Sequence, residues 1–198
     1  MGLKTTVIIN EVNNLNDARY CAGMGVDYLG FLLEENHPNY ISKEKFDEIT
    51  SWVSGPEIIG EFSNYSLNEI ISTLTKYSIK VVQVKDYQIV NDLFYNEYSV
   101  ILEIESTQFS EKFFQKYKGK VNYFLLVGKN DPEVLHRAGE YAARYPIILG
   151  GNFYKEYLYE INRFPFNGIA LKGGTEIIPG YGDFNELADI LELLEMED

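Results

Sequence analysis

Apolar residues in this chain fall into short, β-branched runs separated by longer stretches of mixed, helix-period pattern. The runs are Thr6–Ile9, Tyr28–Leu33, Glu57–Phe62, Lys80–Val84, Val100–Ile104, Tyr123–Val127, Ile147–Leu149 and Gly168–Leu171. Each has the length and residue type of a strand. Between them the spacing predicts helices over Asn16–Gly23, Ser42–Val53, Ser66–Tyr77, Tyr87–Tyr95, Thr107–Tyr117, Pro132–Tyr145, Tyr154–Phe164 and Asp183–Met196. Several carry their own start and stop signals. Ser66 followed three residues later by Glu69 is a capping box, and Asp131 precedes a proline at the first helical position. Gly23, Gly25, the Gly55-Pro56 pair and Gly119 stand where helices should end.

Eight strand–helix units in a row imply parallel pairing through right-handed crossovers. Closed on themselves, eight such units make a (β/α)8 TIM barrel, and this is the fold expected over residues 1–198 as one domain. A doubly wound open sheet is the structural alternative. No linker or low-complexity stretch divides the chain.

Composition narrows the partners. With 45% hydrophobic residues the chain is globular, and 30 acidic against 17 basic residues leave a formal net charge of −13. That balance argues against nucleic acid or an anionic membrane surface, both of which need a basic footprint. Cys21 is the single cysteine, so neither an intrachain disulfide nor a cysteine-based zinc site is expected. The N-terminal apolar run is too short for a signal peptide, and no window reaches the length of a membrane span; a cytoplasmic monomer or homodimer is expected.

Candidate chemistry collects at the predicted strand ends. Gly150-Gly151 and Gly173-Gly174 follow the last two strands, where bare backbone N–H groups can cradle the phosphate of a phosphorylated small molecule; turn geometry alone also favours glycine there. Lys85 ends the fourth strand, either as a base or Schiff-base nucleophile, or as the partner of rim carboxylates such as Glu61, Glu103, Glu105 or Asp86. Strand alternation turns Ile8 and Asn10 toward the barrel interior and Glu11 toward the rim or outside; Glu11 is a weak candidate base. Lys172 either adds charge beside the last glycine pair or points outward. His37 and His136 lack a metal-ligand spacing, so no metal is expected, and no motif asks for a cofactor.

Several segments resemble phosphoribosylanthranilate isomerases. They are Asn14-Leu15-Asn16-Asp17-Ala18, Gly25-Val26-Asp27-Tyr28-Leu29-Gly30-Phe31, His37-Pro38-Asn39-Tyr40-Ile41-Ser42, Val81-Val82-Gln83-Val84, Gly150-Gly151 and Gly174-Thr175-Glu176-Ile177-Ile178-Pro179-Gly180. The resemblance implies a TIM barrel, a short helix with its N-terminus toward phosphate after strand eight, and an Amadori rearrangement in tryptophan biosynthesis. Residue by residue it departs from the family at the chemistry. Asn10 stands at the family's general-base cysteine and Val127 at its general-acid aspartate. Asn39 stands at the arginine that holds the substrate carboxylate, and Lys85 at a histidine. The glycine-rich loop after strand six is replaced by Lys129-Asn130-Asp131-Pro132. Each lost proton-transfer group removes about 10²–10⁴-fold in rate, and an asparagine amide takes no proton near neutral pH. The expectation is a divergent homologue with little or no isomerase activity that keeps a phosphate site. An enzyme acting on a different phosphosugar through Lys85 or rim carboxylates, and a non-catalytic interaction scaffold, remain the alternatives.

Overall fold

All eight predicted strands pair in parallel with their chain neighbours, and the eighth returns to the first to close a barrel. This computed structural model describes residues 3–128, 131–151, 158, 162–173, 176–178, 181–182 and 184–195. The strands are β1 (Thr6–Asn10), β2 (Tyr28–Leu32), β3 (Glu57–Phe62), β4 (Val81–Val84), β5 (Ser99–Glu105), β6 (Tyr123–Val127), β7 (Ile147–Leu149) and β8 (Gly168–Lys172). The closing pair runs the full length of both partners, from Thr6 opposite Gly168 to Asn10 opposite Lys172. A shorter β7–β8 pairing sets Ile148 opposite Gly168. The protein is therefore a (β/α)8 barrel, and the open-sheet alternative is excluded.

The intervening helices are α1 (Leu15–Gly23), α2 (Lys43–Thr50), α3 (Leu67–Tyr77), α4 (Val90–Tyr95), α5 (Glu111–Tyr117) and α6 (Pro132–Ala142). A further helix, Phe184–Leu194, follows β8. The caps do what their residue types suggest. Ser66 and Glu69 form a reciprocal capping box on α3, and the Asp131 side chain accepts from Val134 N ahead of Pro132. Two helices begin later than their periodicity predicts, and a cap decides each. Asp86 accepts from Gln88 N and nucleates a 3-10 turn at Tyr87–Ile89 before α4. Ser110 accepts from Phe113 N and starts α5 at Glu111 rather than Thr107. The predicted helix Tyr154–Phe164 falls mostly outside the described residues.

Beyond β8 the structure corrects the expectation of a short helix. Glu176–Ile178 and Tyr181–Gly182 pair as a small antiparallel ribbon, β9 and β10. The run Glu176-Ile177-Ile178 has β-branched residues, which favour the extended state once a partner strand is close.

Side-chain alternation splits the apolar core in two. Outward-facing strand residues such as Val7, Ile9, Leu29, Phe31, Val82, Leu102, Phe124 and Leu126 pack under the helices in one large cluster. Inward-facing residues Ile8, Ile59, Val81, Ile101, Leu125, Ile148 and Ala170 form a separate plug on the barrel axis. Tyr28 and Tyr123, at the first positions of β2 and β6, pack against the lower side of that plug and edge to face with each other, ring centroids 6.2 Å apart. The next inward positions up β1, β3, β4 and β5, toward the C-terminal ends of the strands, are the polar Asn10, Glu61, Gln83 and Glu103. The site stands on this apolar floor.

Candidate functional site

A cavity of about 290 Å³ opens at the C-terminal end of the barrel, the end where βα loops gather. Asn10, Glu11, Glu61, Gln83, Lys85, Glu103, Glu105, Val127, Gly128, Gly151 and Lys172 contribute to its wall. Its base is a hydrogen-bonded chain of side chains that starts from the buried Asn10, Glu61 and Gln83 and runs out to the partly exposed Glu103 and Lys85. Asn10 Nδ2 donates to Glu61 Oε1 at 2.9 Å and to Gln83 Oε1 at 2.8 Å. Gln83 Nε2 donates to Glu103 Oε2 at 3.0 Å, and Lys85 Nζ lies 3.3 Å from Glu103 Oε1. Register builds the chain, because Glu61 sits opposite Gln83 across the β3–β4 ladder.

Glu61, in sequence one of four rim carboxylates with nothing to single it out, is the centre of this hydrogen-bonded chain. It is 5% exposed, and burial pushes its carboxyl up to about 7. Hydrogen bonds from Asn10 and from Glu11 N oppose the shift, while the nearby Glu11 and Glu103 charges add to it. Both donors meet the same oxygen, Oε1. Glu61 Oε2 receives no hydrogen bond among the described residues. Gly30 on the adjoining strand makes the room: a Cβ there would lie 1.8 Å from Glu61 Oε1. Two signals were present in the sequence. Glu61 occupies an inward position two beyond Ile59, and a glycine interrupts β2 beside it.

Glu11 lies on the rim, as alternation places it. Its backbone turns left-handed, with φ +54, directly after β1. Burial alone would raise its carboxyl. Hydrogen bonds from Lys172 and Asn39 outweigh that and hold it below the usual range. Lys172 Nζ is 2.7 Å from Glu11 Oε1, and Asn39 Nδ2 donates to Glu11 Oε2 at 2.8 Å. Lys172 and Asn39 are thus drawn together on one carboxylate. Lys85, of the two lysine roles considered, is paired with Glu103 and about half exposed, 54%, rather than desolvated.

The glycine pairs divide. Gly150 N donates to Leu126 O at 2.8 Å and Gly173 N to Asn10 O at 2.7 Å, so both amides continue the sheet ladder. Gly151 has φ +82, and a Cβ there would come within 2.9 Å of Gly128 N, so the β6 and β7 loops meet backbone to backbone at the cavity wall. Gly174 lies outside the described residues. Val127 is half-buried on the same wall with no polar atom to offer. His37 lines the pocket and His136 is exposed on α6 beside Glu140. Among the described residues no group of three His, Cys, Asp or Glu side chains is placed to hold a metal ion, and no helix is long and apolar enough to cross a membrane.

A barrel with an apolar floor and a polar, partly charged C-terminal mouth is the architecture of TIM-barrel proteins that act on or hold small molecules there. Comparison with known proteins shows what the chain is similar to. The chain is 25% identical over 194 residues to N-(5'-phosphoribosyl)anthranilate isomerase of Parabacteroides distasonis, covering 88% of this chain and 86% of that one. Phosphoribosylanthranilate isomerase of Thermotoga maritima superposes with a TM-score of 0.78 at 19% identity, covering 95% and 97% of the two chains. A phosphoribosylanthranilate isomerase solved with reduced 1-(o-carboxyphenylamino)-1-deoxyribulose 5-phosphate superposes at 0.76 with 19% identity, covering 95% and 97%. No family model matches the chain. The curated relatives matched are phosphoribosylanthranilate isomerases at 24–25% identity, and the superposed structures share the barrel fold.

Proposed function

We propose that this protein is a divergent member of that family which binds a phosphorylated small molecule in the barrel mouth and has little or no phosphoribosylanthranilate isomerase activity. The observation that carries the reading is the state of Asn10. Where the resemblance puts a general base, Asn10 spends its amide hydrogens on Glu61 and Gln83. It offers the substrate a group with no basicity near neutral pH. Val127, at the acid position, has no ionisable atom. Asn39, at the carboxylate-binding position, directs its amide to Glu11, so the charged clamp that an anthranilate carboxylate needs is absent from that position.

Support for a phosphorylated ligand comes from two sides. The solved relative named above holds a 5-phosphate sugar derivative. In this chain, Gly128 and Gly151 bring bare backbone to the cavity wall, with Lys172 and Lys85 lining the same space. The cavity lies at the lower end of the roughly 300–1,000 Å³ of small-molecule sites, a size suited to a sugar phosphate.

The test is complementation of a tryptophan auxotroph lacking the isomerase, paired with thermal-shift titration of pentose and hexose phosphates. We expect no rescue and a concentration-dependent rise in Tm with at least one sugar phosphate. Rescue would overturn the loss of activity. A flat Tm across the panel would overturn ligand binding.

A further inference from the structure

We propose that Glu61 Oε2 is the proton-exchanging atom of the barrel mouth, acting on the carbon beside the carbonyl of an open-chain sugar phosphate. The inference rests on the phosphosugar reading above and deepens it.

Three observations carry it. Glu61 is nineteen-twentieths buried yet lines the cavity. Its two hydrogen-bond donors both fall on Oε1, so the carboxyl is held by one oxygen and the other has no partner among the described residues. The surrounding design serves that carboxyl: Gly30 is vacated for it, Asn10 is fixed by Gln83 while it holds it, and the left-handed turn at Glu11 delivers a backbone N–H to it. An ionisable group kept dry and oriented at a cavity wall, with one oxygen that carries no hydrogen bond among the described residues, is an acid–base arrangement. Above about pH 7 a Gln, which keeps the acceptor without the charge, would make a more stable floor.

The step balances without an oxidant or a second reactant. Glu61 carboxylate takes the proton from the carbon adjacent to the carbonyl. The C–H electron pair becomes the new C=C bond, and the carbonyl π pair moves onto oxygen as an enolate. Lys85, just past the end of β4, supplies positive charge in the same cavity. Return of the proton from Glu61 to the same carbon, with the enolate electrons re-forming the carbonyl, restores the carboxylate. Before that return the carboxyl proton can exchange with solvent.

Ribulose 5-phosphate is the probe. Its 5-hydroxyl is esterified, so it cannot close a furanose ring and presents a free ketone. Exchange of its carbon-bound hydrogens in D2O is followed by proton NMR, alongside its effect on Tm. We expect the wild type to exchange faster than buffer, with the rate rising with pH to a plateau above about 7. Glu61→Gln should exchange at least ~100-fold more slowly while its Tm still responds to the ligand. Glu61→Asp, which keeps the charge but withdraws the carboxyl by one methylene, should fall between them and serves if the glutamine variant does not fold. Equal exchange in wild type and Glu61→Gln would overturn the proposal. Stabilisation by ribulose 5-phosphate without exchange above buffer would also overturn it, leaving the binding reading intact. No stabilisation by any sugar phosphate would overturn both.

Discussion

Gly30 and Glu61 are a matched pair: a methyl group on Gly30 would lie 1.8 Å from Glu61 Oε1 and 3.2 Å from Asn10 Nδ2. The glycine is required by the carboxylate of the next strand, since a buried side chain held by two hydrogen bonds has nowhere to retreat. Gly30→Ala should destabilise the fold by about 1–3 kcal/mol through overpacking and broken hydrogen bonds. In Glu61→Ala the same substitution should cost far less, giving a coupling on the order of 1 kcal/mol or more between the two sites. Urea unfolding of the four proteins at one pH, with unchanged m-values, measures it. Strict additivity would show that Gly30 is there for backbone reasons alone.

Glu61 also sets a pH dependence of stability. Its carboxyl is raised from 4.5 to about 7 in the folded protein. Between those values the native state keeps a proton that the unfolded chain has released. Stability from this group is therefore fully present below about pH 4.5, declines as pH rises, and is lost above about pH 7. At 1.36 kcal/mol per unit the loss is on the order of 3 kcal/mol. Glu61→Gln keeps an acceptor for Asn10 and Glu11 N but cannot ionise. It should be more stable than wild type at pH 8 and close to it at pH 4.5, in paired chemical denaturation curves. Glu11 and Glu103 stand beside it in both proteins, so the difference between the two reports Glu61.

A second buried carboxylate does purely structural work. Glu34 Oε1 accepts from three consecutive backbone amides, Ser63 at 2.8 Å, Asn64 at 2.6 Å and Tyr65 at 2.8 Å. It fills a backbone nest of the type that elsewhere binds an anion, and so fixes the β3–α3 loop at the rim. Glu34→Ala leaves three donors short of a partner and should cost about 2–4 kcal/mol. Glu34→Gln retains the oxygen without the charge and should cost about half as much. Hydrogen exchange of the Ser63, Asn64 and Tyr65 amides reports the effect directly; unchanged protection in Glu34→Ala would refute it.

How much of this was readable in advance follows from what each level of order depends on. The barrel was legible because eight apolar runs and their caps are local signals, and Ser66–Glu69 or Asp131–Pro132 act within one turn. The interior position of Asn10 followed from alternation. Its partners did not, because Asn10 meets Glu61 across 51 residues and Gln83 across 73, and register alone brings them together. The same limit hid Glu61: one more glutamate among thirty acidic residues carries no mark of burial. The glycine pairs read alike in sequence, yet the amides of Gly150 and Gly173 belong to the sheet while Gly151 needs its left-handed φ.

Glu11 offers a test of whether its backbone or its carboxylate matters more. It adopts φ +54, a conformation that costs a residue with a Cβ about 1 kcal/mol and glycine almost nothing. Its carboxylate meanwhile gathers Lys172 and Asn39. Glu11→Ala loses both contacts and keeps the strain. Glu11→Gly loses the same contacts and relieves it. Glycine normally destabilises relative to alanine by raising the entropy of the unfolded chain, so at most sites the glycine variant is the weaker. Here the order should invert, with Glu11→Gly more stable than Glu11→Ala by about 0.5–1 kcal/mol. Both variants should also free Asn39 and Lys172 to meet an anionic ligand at the rim, so any sugar phosphate that raises the wild-type Tm should raise theirs further. Thermal unfolding of the three proteins with and without that ligand reads both effects, and an alanine variant more stable than the glycine one would show that the turn after β1 is not strained.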